Sequence, residues 1–147
     1  MNRAADTTSE VDDARPRLLI ADDDAFVRSA LSSQLEASFD VIAVAENARQ
    51  AIELAAEHQP DGALIDVEMP GGGAREAVPQ ITARSPDTRI VILSGDESRD
   101  IVLELLSAGA MAYIRKGGSA AELTKTLTDA LRVKAAPAGS AEREENA

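Results

Sequence analysis

Apolar residues along this chain fall into two alternating patterns. Continuous runs rich in leucine, isoleucine and valine lie near residues 17–21, 40–45, 62–66, 88–93 and 111–114. Runs of that length predict strands. Between them apolar residues recur at helical spacing: Val27, Leu31 and Leu35; Ala48, Ala51, Ile52 and Ala55; Ile101, Leu105 and Ala108; Leu123, Leu127, Ala130 and Leu131. Asp24 and Asn47 stand where helix N-caps belong, and Ser119 opens a capping-box pattern with Glu122. Pro60-Asp61-Gly62 and Gly109 close the second and fourth helical segments. The third segment is weaker: Gly71-Gly72-Gly73 precedes it and Pro79 falls inside it, so it is expected to start late or to kink.

Five strands alternating with five helices predict a doubly wound α/β fold with a parallel sheet and helices on both faces. Right-handed crossovers in so short a chain favour the flavodoxin-like strand order 2-1-3-4-5. Residues 1–16 lack periodicity and read as a flexible arm, residues 17–133 as one domain, and residues 134–147 as a disordered tail.

The strand ends carry the chemistry. Leu18-Leu19-Ile20-Ala21 runs into Asp22-Asp23-Asp24, Ala63-Leu64-Ile65 into Asp66, Ile90-Val91-Ile92-Leu93 into Ser94, and Met111-Ala112-Tyr113-Ile114 leads to Lys116. In an open parallel sheet these C-terminal ends share one crevice, at the point where strands 1 and 3 lie side by side. Two carboxylates about 4 Å apart repel by roughly 4 kcal/mol at an effective dielectric near 20. That is a large fraction of a domain's stability of about 5–15 kcal/mol, so the cluster calls for a hard divalent cation. Helix capping accounts for Asp24 but not for Asp66, which follows a separate strand. Asp66 is therefore the candidate nucleophile toward a phosphoryl group, with Mg²⁺ (or Mn²⁺), Lys116 and the Ser94 hydroxyl neutralising the oxygens.

Composition narrows the reading further. With 44% hydrophobic residues but only 2% aromatics, the core must be aliphatic and alanine-rich. No cysteine is present, which excludes disulfides, thiolate metal sites and cysteine nucleophiles. The net charge is −11; residues 1–16 and 134–147 contribute −2 and −1, so −8 belongs to the folded body. Such a field disfavours nucleic acid and anionic membranes. With no secretory leader or membrane-length apolar stretch in view, a cytoplasmic protein is expected. His58, the one histidine, sits in a polar helix end and reads as a surface residue.

Leu-Leu-Ile-Ala-Asp-Asp-Asp, Ala-Leu-Ile-Asp-Val-Glu-Met-Pro-Gly, Ile-Val-Ile-Leu-Ser-Gly and Gly-Ala-Met-Ala-Tyr-Ile-Arg-Lys together resemble the receiver domain of two-component response regulators. The resemblance runs from residue 17 to about 133 in the family's order and spacing. It implies an acid pair at Asp22 and Asp23, a phosphoacceptor at Asp66, a switch hydroxyl at Ser94, a switch aromatic at Tyr113 and a phosphoryl-binding lysine at Lys116. It also implies that the backbone carbonyl of Glu68 completes the metal shell. A histidine kinase or histidine phosphotransfer protein would be the donor. A downstream protein would read the result, through the fourth helix, fifth strand and fifth helix. Two departures stand out: Gly117 follows the lysine where the family often has proline, and Gly71-Gly72-Gly73-Ala74 replaces the usual Asp-Gly.

Two alternatives use the same residue types. A haloacid-dehalogenase-like phosphatase also forms an aspartyl phosphate, but its pattern wants Thr or Val where Phe26 stands and an acidic pair after the lysine strand. A pseudo-receiver serving only as a docking module would not need the complete set of acid pair, acceptor, hydroxyl and lysine. Residues 134–147 are too few for a helix-turn-helix, so a stand-alone receiver is expected, without DNA binding and catalysing at most its own phosphotransfer and dephosphorylation.

Overall fold

The computed structural model describes residues 15–95 and 99–132. The sequence-predicted arm, apart from Arg15 and Pro16, and the whole tail lie outside that range. The strands are β1 (Arg17–Ala21), β2 (Asp40–Ala45), β3 (Gly62–Asp66), β4 (Arg89–Ser94) and β5 (Ala110–Arg115). The helices are α1 (Ala25–Leu35), α2 (Ala48–His58), α3 (Gly73–Arg84), α4 (Arg99–Ala108) and α5 (Ala120–Arg132). The sheet order is β2-β1-β3-β4-β5, every pair parallel, as the alternation of patterns predicts.

Strand periodicity divides the core in two. Leu18, Ile20, Leu64, Val91 and Leu93 face α1 and α5, where they meet Leu31, Leu35, Leu123, Leu127 and Leu131. Leu19, Ala21, Ala63, Ile65, Ile90 and Ile92 face the other way, against Ala51, Ile52, Ala55, Ala77, Val78, Ile81 and Leu105. Because both faces of β1 and β3 are buried, a one-residue slip would carry their end carboxylates away from each other. The apolar core thereby fixes the register of the site.

The helix caps are as expected. Asp24 accepts from the backbone N–H groups of Phe26 and Val27, and Asn47 from that of Gln50. Ser119 Oγ accepts the Glu122 N–H at 3.1 Å.

The third helix corrects the sequence expectation of a late start. It begins at the third glycine, with Gly72 as its cap in a left-handed conformation. Gly73 itself has φ +59, and a Cβ there would collide with the Val67 carbonyl oxygen. The Ala74 N–H donates to that same oxygen at 3.0 Å. The glycine run thus lets α3 start hard against the segment leaving β3. Pro79 stands inside the helix on its exposed side. Gly73→Ala is expected to lower stability by about 1–3 kcal/mol through overpacking. A thermal melt equal to that of the parent protein would contradict this close approach.

Candidate functional site

Register brings the strand ends together. Ala21 pairs with Ile65, Asp66 with Leu93, and Ser94 with Arg115. The residues just beyond or at these pairs are therefore Asp22, Asp66, Ser94 and Lys116. Asp22 and Asp66 are buried, and Asp23 stands exposed at the mouth. Ligand oxygens of Asp22, Asp23 and Asp66 lie within 4.8 Å of one another.

Lys116 closes the cluster. Its Nζ is 3.0 Å from Asp66 Oδ1 and 3.5 Å from Asp22 Oδ2. Its backbone N–H donates to the Ser94 carbonyl at 2.7 Å, which ties the end of β5 to the end of β4. The chain then turns at Gly117, whose φ of 88 proline cannot adopt. The departure from the family's usual proline is thus a different turn that still delivers the lysine.

Burial pushes the Asp66 carboxyl from 3.8 up to about 6; the Lys116 hydrogen bond opposes this, and the charges of Asp22 and Asp23 add to it. Burial on its own would lower Lys116, but the hydrogen bond and charge of Asp66, joined by Asp22, hold the ammonium above its ordinary value. At neutral pH both groups of the closest pair are charged.

One lysine does not satisfy three carboxylates. Asp22 Oδ1 accepts the Asp24 N–H at 3.0 Å. Asp22 Oδ2 is buried and makes no hydrogen bond; its contact with Lys116 is an ion pair at the long end of the range. A buried charged acceptor whose one contact is a long ion pair is incompletely compensated. This orphaned oxygen, with two further carboxylates beside it, fits a hard cation that takes oxygen ligands.

Three other sequence-predicted residues stand outside the cluster. Ser94 is buried at the end of β4, one strand over from Asp66. Glu68 is exposed two residues beyond Asp66. Tyr113 is 48% exposed on the edge strand β5 and lines a cavity of about 670 Å³ with Phe26, Leu123 and Lys116.

Two features escaped the sequence reading. Phe26 is 84% exposed in the first turn of α1. Arg28 reaches back along the same helix, and its Nη1 donates to the Asp22 carbonyl at 2.8 Å. The one available hint was its place in the second turn, near the positive end of the helix dipole, where a cation needs compensation.

Comparison with known proteins agrees with this geometry. Residues 18–128 match the model of the response regulator receiver domain. The transcriptional regulatory protein PdtaR of Mycobacterium tuberculosis is 36% identical over 118 residues, covering 79% of this chain and 57% of that protein. A protein-glutamate methylesterase/protein-glutamine glutaminase of Haloarcula marismortui is 39% identical over 105 residues, covering 69% of this chain and 28% of that protein. The chain thus spans about half or less of the length of these relatives. Among solved structures, the response regulator domain of Thermotoga maritima CheB superposes with a TM-score of 0.74 at 29% identity, covering 80% of this chain and 97% of that one. A LuxR-family two-component response regulator from Aurantimonas gives 0.76 at 29% identity, covering 80% and 86%.

Proposed function

The chain belongs to the response regulator receiver family, and on that premise we propose that it is a phosphorylation-activated switch with Asp66 as the acceptor. The observation that carries this reading is the contact set at Asp66: a buried carboxylate, ionised at neutral pH, with Lys116 at 3.0 Å and two further carboxylates around it. An Asp66 oxygen forms the new P–O bond as the P–N bond of a phosphohistidine breaks, and the donor imidazole takes up a proton. Asp22, Asp23, Asp66 and the Glu68 carbonyl would hold Mg²⁺ or Mn²⁺. When bound, the ion supplies positive charge to the phosphoryl oxygens. Lys116 supplies a second positive centre, and the Ser94 hydroxyl a hydrogen bond. No membrane-length apolar helix exists among the described residues.

The donor is a histidine kinase or phosphotransfer protein of the cytoplasm. Phe26 and the apolar cavity beside Lys116 give such a partner a surface next to the acceptor. The protein accepts and loses its phosphoryl group without turning over a separate substrate, and the methylesterase activity named for one relative is not carried over. An aspartyl-phosphate phosphatase would share the chemistry, but it would not account for the family match.

Output is proposed to run through α4, β5 and α5 to a protein target. On α4 only Val102 and Leu105 are buried, whereas Leu103 is exposed, as are Met111 and Tyr113 on β5. These residues form apolar surface beyond what the core uses. Inward movement of Ser94 toward the new charge opens space that Tyr113, now half-exposed, fills. With Mg²⁺ and beryllofluoride, a phosphoryl mimic, amide NMR signals of Ser94, residues 99–108 and Tyr113 are expected to shift more than those of α2. Asp23→Asn should abolish the response. Shifts confined to residues lining the site would rule out this switch while leaving the acceptor reading intact.

A further inference from the structure

We propose that Arg28 is a positioning residue for the metal site, holding the peptide that joins Asp22 to Asp23. This inference rests on the metal reading given above. The Asp22 backbone is pinned on both sides: its N–H donates to the Ala45 carbonyl at 3.0 Å, and its own carbonyl accepts from Arg28 Nη1 at 2.8 Å. The Asp22 carbonyl and the Asp23 N–H share one rigid peptide plane. Fixing that carbonyl therefore sets the direction in which Asp23 leaves the strand. Among the described residues no side chain holds the Asp23 carboxylate, so its aim depends on this plane.

Arg28 is built for the task. Its side chain is only 19% exposed, and its Nη2 lies 3.9 Å from Glu46 Oε1. The guanidinium thus spans the ends of β1 and β2 from the second turn of α1. The Glu46 contact is long and at the rim, and contributes little; the carbonyl hydrogen bond is the short, charge-assisted one.

Electrostatics and positioning make opposite forecasts. A fixed positive charge beside a cation site opposes binding, so removing it should tighten Mg²⁺ if charge were all that mattered. If Arg28 acts by orientation, removing it should weaken Mg²⁺, which demands near-ideal octahedral geometry. Ca²⁺, which tolerates irregular shells, should suffer less. Loss of groups that orient metal ligands typically weakens binding about 10- to 100-fold.

The test is a titration of Mg²⁺ and of Ca²⁺ followed by amide NMR, with the whole chain. Arg28→Met keeps an unbranched aliphatic side chain and removes the donor; Arg28→Lys keeps the charge and a shorter donor. The expected result is a Mg²⁺ dissociation constant about tenfold weaker for Arg28→Met, a smaller loss for Ca²⁺, and an intermediate Mg²⁺ value for Arg28→Lys. Glu46→Gln should bind as the parent protein does. Unchanged or tighter Mg²⁺ binding by Arg28→Met, or equal losses for the two ions, would overturn the proposal. Should Arg28→Met fail to fold, a parent-like Mg²⁺ to Ca²⁺ preference in Arg28→Lys with a weakened carbonyl contact would overturn it instead. If the parent protein itself binds no Mg²⁺, the metal reading fails, a result distinct from failure of Arg28 alone.

Discussion

Asp66→Asn is expected to raise the stability of the metal-free protein at about pH 8 by up to about 3 kcal/mol. The sign follows from the shift of its carboxyl from 3.8 to about 6 on folding. Between those values the native state holds a proton that the unfolded chain has released. Stability therefore falls as pH rises through this window, and the loss persists above about 6. Asparagine has the shape of the protonated acid and cannot ionise, so the variant escapes that loss. Carboxylates remote from the site contribute equally in both proteins, so the difference between the two curves reports Asp66 together with its coupling to Asp22, Asp23 and Lys116. Denaturant melts in a chelator across pH 4–8 provide the check. Parallel curves for the two proteins would show that Asp66 is not held in its charged form at a cost. Mg²⁺ should lower the advantage of the variant, because the ion binds the native parent and stabilises it by linkage.

Lys116→Ala is expected to retain metal binding and to lose phosphorylation. Lys116 is the cation that contacts both Asp22 and Asp66. Without it the three carboxylates attract a divalent ion at least as strongly. The transferring phosphoryl group loses one of the charges aimed at its oxygens, and removal of one such donor costs about 10²–10³ in rate. The check pairs a Mg²⁺ titration with the initial rate of phosphorylation by a small-molecule phosphodonor. A rate within a few-fold of the parent would mean that the lysine serves only to neutralise the resting cluster.

The sheet and its polar ends were legible because the apolar runs are uninterrupted and each stops on a polar residue. Ala63-Leu64-Ile65 is a short apolar run of strand length, and Asp66 is the first charged residue after it, itself buried at the strand end. The caps at Asp24, Asn47 and Ser119 were legible for the same kind of reason, since a short polar side chain there meets free N–H groups. The start of α3 was misjudged because glycine was read as a breaker. Its missing Cβ instead permits contact with the Val67 carbonyl, a tertiary fact that no local pattern carries. The contact of Arg28 was not legible because its partner is a backbone carbonyl six residues back, and backbone acceptors leave no trace in side-chain spacing. The orphaned oxygen of Asp22 likewise emerges only from geometry: the sequence places the carboxylates, but the fold decides which lone pair goes unmet.

The measurement that bears most directly on the account is phosphoryl uptake, followed by intact mass and site mapping. The protein is incubated with Mg²⁺ and acetyl phosphate, then treated with acid or base. One phosphoryl group is expected, stable in acid and labile in base as an acyl phosphate is, located on Asp66 and absent from Asp66→Asn. Label on His58 or on a hydroxyl side chain, or label that survives in Asp66→Asn, would contradict it.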